Sequence, residues 1–246
     1  MPSRKAIKAL KPPKRAPPPL DNNIYLRNQW QPKSGNVVPA KIRLCVQYYV
    51  DPDAKRQEEI DFCIRNNIAN RAINQMLVIK SKHTKFPENS EKVQFVELEE
   101  RPTYWQILEI LRKEDDAVNI IANTDIAFDE TINHVRIVQN PDLLALNRWE
   151  LKTPLQLASA IPPIAIDAYD VWIWQGRLQT HLTEKDFAFT LGVAGCDNRV
   201  NYLFHTSGYR LCNPCSYIKA FHVHNTNIRR YLDKPRIPGP YCYASP

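Results

Sequence analysis

Three short polar clusters in this chain carry residue types that acid–base and metal chemistry need. The first is Asn123-Thr124-Asp125, which closes the apolar run Val118 to Ala122 and precedes Ile126-Ala127-Phe128. A carboxylate at the end of a buried strand can grip a divalent cation, and the cation can hold a diphosphate. The same aspartate can equally cap the turn that follows. The second cluster is Gly192-Val193-Ala194-Gly195-Cys196-Asp197-Asn198, which holds two of the chain's six glycines. Glycines at that spacing let the backbone turn sharply or approach a ligand closely. Asp197 then stands where a helix begins, as a cap or as a reacting group. The third is His222-Val223-His224. Alternate residues of a strand share a face, so both imidazoles can reach one ligand, and they can equally be satisfied polar residues.

These clusters need a frame. Ile42 to Val50 combines β-branched and aromatic residues and predicts a strand that ends at Asp51-Pro52-Asp53. A helix is predicted over Ala54 to Asn70, with Ile60, Cys63, Ile64 and Ile68 on one face and Lys55, Arg56, Glu58 and Glu59 turned away. Gln75 to Ile79 gives a second strand, Ser81 to Lys92 a polar loop, and Val93 to Leu98 a third strand with period two. Thr103 can cap a helix over Tyr104 to Lys113, whose Ile107, Leu108 and Leu111 form a stripe. The run into Asn123-Thr124-Asp125 is the fourth strand. Alternating strands and helices imply an α/β fold with a mostly parallel central sheet flanked by helices. The acid then sits at the carboxyl edge, where such sheets bind ligands.

Farther on, Asp129 to Val135 predicts a short helix, Leu143 to Trp149 a fifth strand and Asp170 to Trp174 an aromatic strand turning at Gln175-Gly176. Residues 151–169 show no period and read as an acceptor-side loop. Thr183 to Phe189 predicts a helix. The helix after Asp197 turns Val200, Leu203 and Phe204 inward and stops at Gly208. Tyr209 to Cys215 and Ala220 to His224 predict two more strands.

With 246 residues and 43% hydrophobic content, a sizeable core is available. The formal net charge of +7 is local: six of the 33 basic residues fall in residues 1–20, which contain no acid, leaving 27 basic against 26 acidic residues elsewhere. Six prolines in the same stretch predict a disordered arm, so the division expected is a tail and irregular lead-in over 1–40, one domain over 41–231 and a Pro-rich extension over 232–246. No apolar run reaches the roughly 18 residues that span a bilayer, and no signal peptide is apparent, so the expectation is a soluble, cytoplasmic protein without a membrane span. Six scattered cysteines imply reduced thiols.

Taken in order, the strand-end Asn-Thr-Asp, the glycine loop with an acid at a helix start and the late His-x-His resemble the nucleotide-sugar transferases of the glycosyltransferase A fold. Asn123 to Asp129, Leu146 to Trp149, Asp170 to Trp174 and Gly195 to Arg199 are similar to small viral and bacterial members, including the type proposed to glycosylate chlorella virus capsid proteins. The resemblance implies a Rossmann-like nucleotide-binding half and an acceptor half, a nucleoside-diphosphate sugar donor, UDP- or GDP-linked, and Mn²⁺ or Mg²⁺. It makes Asp125 the metal–diphosphate acid, with Asn123 standing where many members have a second aspartate. It makes His224, or His222, the late metal ligand, with His224 preferred as nearer the strand end. Asp197 becomes the base that deprotonates the hydroxyl of a carbohydrate or glycoprotein acceptor in an inverting transfer. Thr124, Arg148, Gly192 and Gly195 fall to the donor side, Tyr48 and Tyr49 to the nucleotide base, and Asp170, Trp172 and Asn198 to the acceptor side.

Other classes fit less of the chain. Cys212-x-x-Cys215 could be half of a zinc site, but a second pair is missing. A nucleic-acid binder would use the basic arm, and the near-neutral remainder argues against it. No Gly-x-Gly-x-x-Gly follows the first strand, which argues against a dinucleotide enzyme. A noncatalytic relative of the transferases remains open.

Overall fold

A computed structural model gives the structure of residues 22–30, 40–112, 116–152, 156–163, 167–178, 181–226, 228 and 234–246. The basic arm over 1–20 and the Arg229-Arg230-Tyr231 segment lie outside the described residues, as does part of the 151–169 segment expected to be an acceptor-side loop. The strands in chain order are β1 (Ile24–Leu26), β2 (Ile42–Gln47), β3 (Gln75–Lys80), β4 (Val93–Glu97), β5 (Val118–Ala122), β6 (Ile126–Phe128), β7 (Asp142–Asn147), β8 (Trp149–Leu151), β9 (Tyr169–Gln175), β10 (Arg210–Cys212), β11 (Ala220–Val223) and β12 (Cys242–Ala244). The helices are α1 (Ala54–Ala69), α2 (Tyr104–Leu111) and α3 (Cys196–Thr206), with a 3₁₀ stretch at Glu130–Ile137.

Seven strands form the central sheet in the order β10-β7-β9-β5-β2-β3-β4. Every pair is parallel except the two made by β9, which runs against both neighbours. The α/β expectation holds, with one antiparallel strand in the middle. β3 and β4 lie on one side of β2 and β5 on the other, so the winding direction reverses between β2 and β5. Open α/β sheets leave a crevice at such a point, beyond the strands' carboxyl ends.

Period-two side-chain placement divides the core. Leu44, Val46, Met76, Val78, Ile120 and Ala122 face α1, which contributes Ile60 and Ile64. Cys45, Leu77, Ile79, Ile121, Trp172 and Trp174 face α2 and α3, which contribute Ile107, Leu108, Leu111, Val200, Leu203 and Phe204. Each large apolar side chain buried this way is worth about 1.5–3 kcal/mol. Local signals start the helices. Asp53 accepts from the Arg56 amide, and Thr103 and Gln106 form a reciprocal capping box.

A second, three-stranded sheet, β6-β11-β8, stands against α1 around Cys63, Ala127, Leu151, Phe221 and Val223. It corrects the single strand expected over Leu143 to Trp149. The chain leaves the central sheet after Asn147, turns at Arg148 and joins the small sheet as β8. β5 and β6 are divided in the same way by Asn123-Thr124-Asp125. The helix expected over Thr183 to Phe189 is a single turn, closed by the Asp186 side chain on the Thr183 amide and hydroxyl. A third, two-stranded parallel sheet pairs β1 with β12, setting Cys242 and Ala244 into the core beside α3. Among the described residues no helix is long and apolar enough to cross a membrane.

Candidate active site

Asp125 sits where the chain passes from the central to the small sheet. Its carbonyl accepts from the Val223 amide at 2.9 Å, and the β6–β11 register pairs Ile126 with His222. The flanking imidazoles therefore face the Asp125 side chain. His222 Nε2 is 3.4 Å and His224 Nδ1 3.9 Å from Asp125 Oδ2, and the two rings lie 5.4 Å apart. One ligand atom from each of the three residues falls within 4.8 Å of the others. His222 is the nearer ring, and His224 stands just past the end of β11. Among the described residues, Cys212 and Cys215 join no such cluster.

The surroundings suit a cation. His222 Nδ1 meets Glu150 Oε2 at 3.0 Å, and His224 Nε2 meets the Ile228 carbonyl at 2.8 Å. Each ring thus has its remote nitrogen on an acceptor, leaving the nitrogen near Asp125 able to present a lone pair, the arrangement that orients histidine ligands. Charge points the same way. Asp170, Glu150, Asp125 and Glu59 form one chain of contacts with Arg148 and Arg56, and four carboxylates against two guanidiniums leave two negative charges. Burial opposes charge on His222, but the carboxylates of Asp125 and Glu150 outweigh it and lift its pKa to about 9. A proton therefore offsets one of those charges, and a cation would take its place. Burial together with nearby Arg56 keeps His224 below its ordinary value.

Arg56 is the main residue the sequence reading misplaced. Arg56 and Glu59 are buried rather than turned to solvent, while Lys55 and Glu58 are exposed as expected. Arg56 donates from Nη2 to Asp125 Oδ2 at 2.5 Å and from Nη1 to Glu59 and to the Val223 carbonyl. Glu59 accepts from the Asn225 and Thr226 amides and the Thr226 hydroxyl. The first turns of α1 therefore fix both Asp125 and the chain that carries His224. Thr124 donates from its hydroxyl to the Gln47 carbonyl, stitching the turn to the end of β2. Asn123 and Arg148 both hold Asp170, at 2.5 and 2.6 Å. Arg148 also binds Glu150 at 2.9 Å and does not pair with Asp125.

Across the cleft, Gly192 and Gly195 have φ of +71° and +82°, values that favour glycine. A Cβ on Gly195 would meet the Ile237 carbonyl at 3.0 Å. This loop begins α3 with Gly195 as its cap, so Asp197 lies in the first turn and is not the cap. Burial pushes the Asp197 carboxyl up to about 7, assisted by Asp170 and opposed by the Asn198 and Tyr169 amides and Arg236. An acid with that value exchanges a proton near neutrality, as a general base must.

Asp125, the histidines and Asp197 line one cleft of about 490 Å³ at the switch point, together with Tyr49, Asn123, Thr124, Arg148, Asp170, Trp172, Gly192 and Gly195. Two expected residues do not line it. Tyr48 lines instead a smaller neighbouring cavity of about 190 Å³, with its hydroxyl on Asp61 at 2.8 Å and its ring packed on Phe86. Asn198 is buried and donates to the Asp167 carbonyl. Trp172, although at the wall, is almost wholly buried and donates from its indole to Asn201. Glu150, Arg56 and Arg101 are site residues that the sequence reading passed over.

No family model matches the chain, and no curated protein is matched by it. Among solved structures it is similar to the mannosyltransferase PcManGT from Pyrobaculum calidifontis in complex with GDP-Man and Mn²⁺, at 14% identity and a TM-score of 0.48, covering 81% of this chain. The chain spans 62% of that protein's length. It is also similar to 4-diphosphocytidyl-2C-methyl-D-erythritol synthase from Anaerococcus prevotii, at 10% identity and a TM-score of 0.45, covering 80% of this chain and 92% of that one.

Proposed function

We propose that the chain is a glycosyltransferase that moves a sugar from a nucleoside-diphosphate sugar to a hydroxyl of a carbohydrate or glycoprotein acceptor, with Mn²⁺ or Mg²⁺. One observation carries the reading. A single cleft at the switch point of an α/β sheet brings together three side chains spaced as metal ligands are, Asp125 with His222 and His224, and a separate carboxyl, Asp197, that burial lifts to about 7.

The two groups divide the work of the transfer. Asp125, His222 and His224 would hold a divalent ion, which would offset the negative charge that develops on the diphosphate as the sugar leaves. Asp197, ionised, accepts the proton of the acceptor hydroxyl as that oxygen attacks the sugar, which is the inverting course. Arg148, already on Asp170 and Glu150, keeps those acids and therefore His222 in place. Tyr49 and the strand ends offer a wall for the nucleoside.

The test is thermal stabilisation by a panel of nucleotide-sugars with and without Mn²⁺, followed by nucleoside-diphosphate release in the presence of acceptor glycans. Stabilisation and acceptor-dependent release are expected. Stabilisation without release by any pair would identify a binding protein, and no stabilisation would overturn the reading altogether. Release of pyrophosphate from a nucleoside triphosphate with a sugar phosphate would replace it with nucleotidyl transfer.

A further inference from the structure

We infer that Arg101 grips a phosphate oxygen of the substrate's diphosphate; this rests on the nucleotide-sugar reading of the cleft and gives its anionic part a protein partner. Three guanidiniums line the cleft, and two are already engaged. Arg56 is held by Asp125 and Glu59, and Arg148 by Asp170 and Glu150. Arg101 comes from the loop between β4 and α2, and its Nε donates to the neutral Gln47 side chain at 3.2 Å. Among the described residues it has no carboxylate partner within ion-pair distance, and no acceptor for Nη1 or Nη2. A half-buried guanidinium in that condition carries its charge and a planar fork of donors toward the cleft, a match for phosphate oxygens.

Its placement is set by the fold. The guanidinium lies over Gly192, where a Cβ would come within 2.8 Å of Nη2. Gly192 therefore makes room for Arg101 as well as for the left-handed turn. Arg101, Gln47 and Tyr49 also line a second cavity of about 190 Å³ at the carboxyl ends of β2, β3 and β4. A ligand that reaches from this smaller cavity toward Asp125 would run past the three residues common to both, Gln47, Tyr49 and Arg101, of which Arg101 alone is charged. A nucleoside diphosphate has that form: a neutral base and ribose, then two phosphates, then the sugar.

The experiment is calorimetric binding of UDP, GDP, inorganic pyrophosphate, uridine and guanosine to wild type, Arg101→Gln and Arg101→Lys at fixed ionic strength and fixed Mg²⁺. Arg101→Gln should weaken the diphosphates by about 10- to 100-fold, the size of one or two charge-assisted hydrogen bonds, and leave the nucleosides within about threefold. Arg101→Lys should fall between, because a point charge keeps attraction and loses the fork. Gly192→Ala, which displaces the guanidinium without removing its charge, should give the same selective loss and serves if Arg101→Gln does not fold. Undiminished diphosphate binding by Arg101→Gln overturns the inference and leaves the nucleotide-sugar reading standing. Equal weakening of diphosphates and nucleosides also overturns it, since Arg101 would then be supporting the loop and not the anion. A wild type that binds none of the probes sinks both.

Discussion

Replacing Asp197 with asparagine should make the protein more stable and less active. The ordinary carboxyl value of 3.8 rises to about 7 in the fold, chiefly because burial disfavours the charge. At about 1.36 kcal/mol for each factor of ten, that rise corresponds to about 4 kcal/mol held against the ionised form. The carboxyl keeps a cleft-facing edge, so solvent relieves part of it, and about 1–2 kcal/mol is the expected effect at pH 8. Asparagine keeps an oxygen for the Asn198 and Tyr169 amides and carries no charge. For a chain of this size, 1–2 kcal/mol raises Tm by about 2–8 °C. The sign with pH follows from proton counts. Between about pH 4 and 7 the folded state holds the proton and the unfolded state has lost it, so wild-type stability declines as pH rises through that window. Asp197→Asn should lack this decline. Transfer should fall by a factor of roughly 10²–10⁴, and the wild-type rate should climb with pH through about 7 and then level. The assays are thermal melts from pH 4 to 9 and initial rates over the same range. Near-wild-type transfer by Asp197→Asn, or a melting temperature lowered at pH 8, would refute the assignment of a strained, reacting carboxyl.

Other substitutions test the frame around that group. Asp125→Ala should cost about 1–3 kcal/mol, because buried Arg56 loses one of its two carboxylates and keeps only Glu59, and should abolish Mn²⁺ binding measured by calorimetry. A melting temperature within a degree of wild type would show that Arg56 finds another partner. Gly195→Ala should cost about 1–3 kcal/mol in a denaturant titration, since alanine must accept φ of +82° and a Cβ 3.0 Å from the Ile237 carbonyl. Asn67→Ala should cost about 2–4 kcal/mol, because Asn67 donates to the Ile126 carbonyl and accepts from the Phe128 amide, both in β6; a loss below 1 kcal/mol would mean that water replaces both bonds.

The central sheet was legible because its inner strands are buried on both faces and so read as predominantly apolar runs, as in β2, β3, β5 and β9, with Arg43 and Asn119 as single polar interruptions inside β2 and β5. The glycine loop was legible as well, since few glycines occur and two of them fall together. The small sheet was not. β6 and β8 have three residues each, too few to show a period, and each follows a central strand after a break of one to three polar residues. Asn123-Thr124-Asp125 and Arg148 are those breaks. The residues that could do chemistry are thus the ones that interrupt an apolar pattern, because the chain is changing sheets there and its side chains open onto the gap between them.

Arg56 and Glu59 show a different failure, and the signal was present. Ile60, Cys63 and Ile64 define the inward stripe of α1, and stepping back four residues from Ile60 and Cys63 lands on Arg56 and Glu59. Reading those two as solvent-facing let residue type override position. The stripe extended forward reaches Asn67, which is also buried and hydrogen-bonded to β6. A charged pair on the buried face of a helix has to be compensated, since desolvating an isolated ion costs far more than one hydrogen bond returns. In this chain the two ions pair with each other at 2.9 Å, and what remains is met by Asp125 for the cation and by the Asn225 and Thr226 amides for the anion. Periodicity thus implies buried charge at Arg56 and Glu59, buried charge implies a partner elsewhere in the sequence, and an acid at the end of a buried strand is the partner with the right sign.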